Sequence, residues 1–199
     1  MESKTCTDVL RRLVVQNLSL FLYDNAKFFA ERLYYEDPQP ENLHLLAQCY
    51  YRQGKIKQAY LILQHSSWPT NRYLFALSCI SLGKLSEAEK ALLPSGVTTI
   101  TGGIGSKLSS AQPKRSKDSR GKDNGEDNGE DNGEDNGEDN VPGGAAGYHL
   151  LGVICRKEQR KEAAIEYFRK SLRIDSAMWG SVCELSEMGV AGEMCCWCD

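Results

Sequence analysis

The sequence contains no apolar run near the roughly 20 residues that span a bilayer, so no membrane-crossing helix is expected of it. Its start, Met1-Glu2-Ser3-Lys4, leads into an amphipathic stretch carrying Arg11 and Arg12, which is not the layout of a secretory signal. Positive charge is not in excess: 24 Lys and Arg against 27 Asp and Glu leave a net charge of −3. That balance lacks the basic surface that attracts nucleic acid or an anionic membrane, and neither is expected as a partner. Histidine is scarce. His44, His65 and His149 are far apart in the chain, with no cluster of Cys or acidic residues around them to complete a metal site. No Ser or Cys stands in a nucleophile motif. The expectation is a chain with no enzymatic activity and no cofactor.

Cysteine is not scarce, for the chain has eight. Without a secretory signal, the nucleus and cytoplasm are the expected compartments, where thiols stay reduced. Cys49, Cys79, Cys155 and Cys183 lie within apolar helical runs and read as small hydrophobes. Cys195, Cys196 and Cys198 crowd the C-terminal end, but no fourth ligand nearby completes a tetrahedral site.

What the sequence does have is an internal repeat. In Asn42–Tyr60 apolar residues recur at helical spacing up to Tyr51, Gly54 punctuates, and a second helical run starts near Ile56. Ala47 and Ala59 stand twelve apart, where two antiparallel helices must approach closely, and Tyr50 shares the face of Ala47. The same grammar recurs with Ala76 and Ala88 around Gly83, and with Gly152 and Ala164 followed by Phe168. Nearer the start, Ala26 and Pro38 keep the twelve-residue step, preceded by Leu10, Leu13 and Val14. A further first helix begins at Trp179 and runs through Leu185. Kept in phase over units of about 34 residues, this pattern resembles the tetratricopeptide repeat. The expected fold is all-α, a helix-turn-helix superhelix, or α-solenoid, whose stacked pairs present a concave surface lined by first helices.

The periodicity fails between residues 94 and 144. Ser95–Gln112 is rich in Gly, Ser and Thr, Pro113–Lys122 is basic, and a Glu-Asp-Asn-Gly tandem runs to Asn140. Nothing there offsets the entropy cost of ordering, so a disordered linker is expected. The tandem lacks the twelve-residue ligand spacing of a calcium loop. Gly102-Gly103-Ile104-Gly105-Ser106-Lys107 lacks the Gly-Lys-Ser/Thr order of a phosphate loop. The basic run reads equally as a nuclear-import address and as a solvated stretch balancing its own charges. The expected organisation is three helix pairs over 5–93, the linker, a fourth pair with the start of a fifth over 145–193, and an atypical Cys-rich tail at 194–199.

A narrower likeness is present. Asn25–Leu33 followed by Leu45–Tyr51, then Arg72–Cys79, Gly144–Gly152 and Ser171–Asp175 with Trp179 together resemble the N-terminal region of the cell-division-cycle protein 27 family. That family is the third subunit of the anaphase-promoting complex. The resemblance implies a non-catalytic scaffold in a ubiquitin ligase that controls mitotic progression, with other subunits of that complex as partners. It also implies a homodimer through the first repeats. Val9, Leu10, Leu13, Val14 and Leu18 make the first helix too apolar for a plain polar cap, and they are the expected dimer contacts. The groove that receives coactivator tails in the family lies in later repeats which this chain does not contain, so little affinity for such tails is expected. The alternative of a different class is an independent adaptor that binds a peptide in its own concave groove. A clamp for a C-terminal carboxylate is not expected, since the corresponding positions hold Val15, Leu45, Ala146 and Leu150 beside Arg11.

Overall fold

A computed structural model describes residues 2–93 and 141–190, with side chains from residue 6 onward. Among the described residues there are nine helices and no strand: α1 (Glu2–Ser19), α2 (Tyr23–Glu36), α3 (Pro40–Arg52), α4 (Ile56–Leu63), α5 (Pro69–Ser81), α6 (Leu85–Leu92), α7 (Ala145–Lys157), α8 (Lys161–Ile174) and α9 (Trp179–Glu187). They pack as hairpins α1–α2, α3–α4, α5–α6 and α7–α8, and α9 lies against α8. The array is a tetratricopeptide-like solenoid. The linker between 94 and 140 and the tail from 191 lie outside the described residues.

The helix boundaries follow from local chemistry. Pro40 and Pro69 open α3 and α5, where a missing N–H costs nothing. Each first helix ends on one residue with positive φ: Phe21, Gly54, Gly83, Gln159 and Gly189. The next N–H then returns to a carbonyl five residues back, Leu22 to Asn17, Lys55 to Tyr50, Lys84 to Cys79, Arg160 to Cys155 and Val190 to Leu185, at 2.8–3.1 Å. This is the Schellman closure, which satisfies a carbonyl that the helix end would leave bare.

Small residues set how closely the helices of a pair approach. Ala26, Ala47, Ala59, Ala76, Ala88 and Ala164 have no exposed surface, and Gly152 is buried. At Gly152 a Cβ would collide with the Phe168 ring of α8, so this position is glycine for steric reasons and not for its backbone. Tyr50 is half-buried, and its hydroxyl donates to Glu31 at 2.9 Å, tying α3 to α2.

Three apolar clusters make up the core. One joins α1, α2 and α3 through Val14, Ala30, Leu33 and Leu46. A small one links α3, α4 and α5 through Ala47, Leu63 and Leu74. The largest runs from α5 and α6 across to α7, α8 and α9 and includes Val141. Val141 is buried, and the Tyr73 ring lies so close over Gly143 that a Cβ there would be 2.6 Å from it. The last four residues of the expected linker are therefore folded, because an apolar side chain and a close ring contact compensate the entropy of fixing them.

Candidate functional site

Successive first helices touch one another, α1 with α3, α3 with α5 and α5 with α7, so together they form one continuous inner face. Polar side chains bridge them. Arg11 of α1 donates to Asn42 Oδ1 of α3 from Nε and Nη2, at 3.3 and 3.0 Å. Asn42 in turn donates to the carbonyl and carboxylate of Asp37 at 2.8 and 2.9 Å. His44 Nδ1 stands 3.1 Å from Asn71 Oδ1 of α5, whose amide donates to the Pro40 carbonyl and to Ser66 Oγ. His149 Nδ1 of α7 stands 3.0 Å from Ser181 Oγ of α9.

The bonding around each bridge fixes the histidine tautomer. Asn71 spends both amide protons elsewhere, so its Oδ1 accepts and His44 Nδ1 carries the proton. Ser171 donates to the Ala145 carbonyl at 2.8 Å and Ser181 donates to Ser171 at 3.0 Å, so Ser181 Oγ accepts from His149 Nδ1–H. Burial pushes both imidazoles below their ordinary value; the Asn71 bond opposes this for His44 and the Glu184 charge opposes it for His149. Gly180 closes over the second ring, where a Cβ would stand 3.0 Å from its Cε1.

These bridges occupy equivalent places in the repeat, which the sequence reading did not recognise. The donor precedes the small-residue position by three: Arg11 before Val14, His44 before Ala47, His149 before Gly152. The acceptor is the third residue of the following first helix: Asn42, Asn71 and Ser181. In the third repeat the donor place holds Tyr73 and the acceptor place Gly147, and there the ring packs on Gly143 instead. The signal available in the sequence was Pro-x-Asn at two helix starts. Arg156 adds a charged bridge, reaching Glu184 and, at 2.7 Å, Glu187 of α9.

The expected dimer residues do not share a surface. Val14 is fully buried and belongs to the first core cluster, with Leu10 and Leu18 half-buried against it. Val14 is thus a core residue and no contact for a second chain: the apolar stripe of α1 packs on α2 and α3. Leu13 is half-buried, and Val9 is 44% exposed. Val15, outside the expected set, is 52% exposed beside a shallow hollow of about 520 Å³ with Asp8, Arg11, Arg12 and Gln16. Of the cysteines, burial pushes the Cys49 thiol up to about 12 and those of Cys79 and Cys155 to about 11, so all three stay protonated. Cys195, Cys196 and Cys198 lie outside the described residues.

Residues 19–95 match the family model of the anaphase-promoting complex, cyclosome, subunit 3, and residues 145–178 match that of the tetratricopeptide repeat. The chain is 37% identical over 186 residues to cell division cycle protein 27 homolog A of Arabidopsis thaliana, covering 94% of this chain and 20% of that protein. It is 33% identical over 179 residues to the cell division cycle protein 27 homolog of Homo sapiens, covering 86% and 18%. The chain belongs to the cell-division-cycle protein 27 family. It spans about a fifth of the length of the curated relatives it matches. A solved structure described as the Cdc27 N-terminus superposes with a TM-score of 0.61 at 19% identity, covering 91% of this chain and 67% of that one, a likeness of fold. The two matched stretches of this family member correspond to α2–α6 and α7–α8, so they flank the 94–140 segment and include three of the four acceptor places of the inner face, Asn42, Asn71 and Gly147.

Proposed function

We propose that the chain is a non-catalytic scaffold segment of the anaphase-promoting complex, a cell-cycle ubiquitin ligase controlling mitotic progression. It acts in the nucleus and cytoplasm and self-associates through its first repeat. The observation that carries the reading is the match of residues 19–95 to subunit 3 of that complex, on a solenoid whose fixed polar bridges hold the inner face rigid. A rigid, curved face suits binding of other proteins. Self-association is supported by α1, which exposes Val9 and Val15, apolar side chains suited to burial against a partner. A second copy is a self-complementary cover.

The test has two arms. Affinity capture of the tagged chain from mitotic extract should bring down other subunits of the complex; a clean chain with none would overturn the assembly reading. Light scattering should give the chain twice its 22.2 kDa mass. The double variant Val9→Glu/Val15→Glu, made at exposed positions so that folding survives, should then run at the single mass. A monomeric wild type would reject self-association and favour an independent adaptor with a peptide in its groove.

A further inference from the structure

We propose that the α1–α2 turn is a docking site for a short partner segment that combines an apolar side chain with carboxylates. Phe21, Gly54, Gly83 and Gln159 hold the same turn position in successive repeats, with φ of 59°, 74°, 76° and 64°. Left-handed backbone disfavours any residue with a Cβ and disfavours a bulky one most. Two repeats meet this with glycine. The first repeat places a phenylalanine there and leaves it 74% exposed, so neither backbone preference nor burial accounts for it. Leu20 and Leu22 on either side are also exposed. Strain kept at an exposed aromatic tip is the mark of a contact surface.

Beside this tip lies a hollow of about 570 Å³, walled by Phe21, Leu22, Asp24, Arg52, Gln53 and Lys55. Gln53 Nε2 donates to the Tyr23 carbonyl and to Asp24 Oδ1, both at 3.0 Å, which engages the carboxylate of the wall. Its Oε1 is buried and accepts nothing. Among the described residues Arg52 and Lys55 have no carboxylate partner. Two unanswered cations and an apolar tip define the complement. An aliphatic or aromatic side chain covers Phe21 and Leu22, and carboxylates pair with Arg52 and Lys55. The surface is the turn edge of the first two repeats, apart from Val9 and Val15, so it adds a function to the scaffold reading and does not depend on it.

The test uses the full chain and synthetic peptides with a central Leu-Phe pair flanked by Glu, with matched sets flanked by Gln or by Lys. Fluorescence anisotropy should show binding of the Glu-flanked set, weakened by salt and by Arg52→Glu/Lys55→Glu. Phe21→Gly should weaken it roughly thirtyfold, as loss of a central aromatic anchor does. Phe21→Gly should also melt at a higher temperature than wild type, since glycine suits the left-handed backbone, which separates lost binding from lost folding. Phe21→Asn, also tolerant of that backbone, should behave alike. Equal binding of the Gln or Lys sets, binding of none, or undiminished binding by Phe21→Gly would overturn the proposal. So would a halved solution mass in Phe21→Gly, which would make the turn a contact between copies.

Discussion

At Gly152 and Gly54 the same residue type is required for opposite reasons. Gly152 has ordinary helical backbone but no room, because the Phe168 ring occupies the space of a Cβ. Gly54 has room, with nothing near a Cβ, but a left-handed φ of 74°. Gly152→Ala is expected to cost about 1–3 kcal/mol through overpacking, and Gly54→Ala roughly 1 kcal/mol through backbone strain. The two separate in a rescue experiment: Phe168→Leu should recover part of the first loss and none of the second, measured by urea denaturation. Gln159 sits at the same turn position with φ of 64°. Gln159→Gly should stabilise by about 0.5 kcal/mol, since relief of roughly 1 kcal/mol of strain is partly offset by the freer unfolded chain. A destabilised Gln159→Gly would show that its side chain does more than occupy the turn.

At the scale of helices, the pairs were legible in the sequence and the bridges between pairs were not. Alanines twelve apart mark a hairpin because both sit in one local unit, within reach of a pattern. Arg11 and Asn42 are 31 residues apart, and His44 and Asn71 are 27 apart. Half of each such bond looks like an ordinary helix-start residue until the neighbouring helix is in place. Val14 was misread for a related reason. A first helix with an apolar stripe looks uncovered, whereas α2 and α3 together cover it. The bridging histidines carry a pH dependence. Both rings are held below their ordinary 6.5 by burial, so the unfolded chain takes up more protons as pH falls. The stability that depends on their neutrality is complete above about 6.5 and is lost progressively below it. Thermal midpoints should therefore fall between about pH 7.5 and 5.5. In His44→Asn/His149→Asn, whose amides reproduce the Nδ1–H donors without titrating, that fall should be shallower. Equal steepness would assign the dependence to other groups.

For the whole molecule, the question is what joins the third and fourth repeats when 47 residues of sequence, 94–140, lie between them. The largest core cluster crosses that junction: Ala88, Leu92 and Leu93 on one side, Val141, Leu151, Ile154 and Tyr167 on the other. At its edge the buried Glu89 carboxylate of α6 accepts from Arg160 at 2.8 Å, and Arg160 also pairs with Glu158. Contacts of this kind do not need the covalent link. With a site for a specific protease placed within residues 94–140, the cut chain should remain one particle through gel filtration. Arg160→Ala leaves the Glu89 carboxylate in the core without its cation, at a cost of about 3 kcal/mol. In the cut chain, where that loss is no longer shared with a covalent tether, the variant should separate into its two parts. Glu89→Leu/Arg160→Leu replaces the pair by apolar side chains and removes the stranded charge, so it should hold together as well as the wild type or better. If both variants separate equally, the pair contributes attraction in its own right and not merely the avoidance of a buried charge. If the cut wild type falls apart, the core cluster is too small to join the repeats and the linker carries the junction.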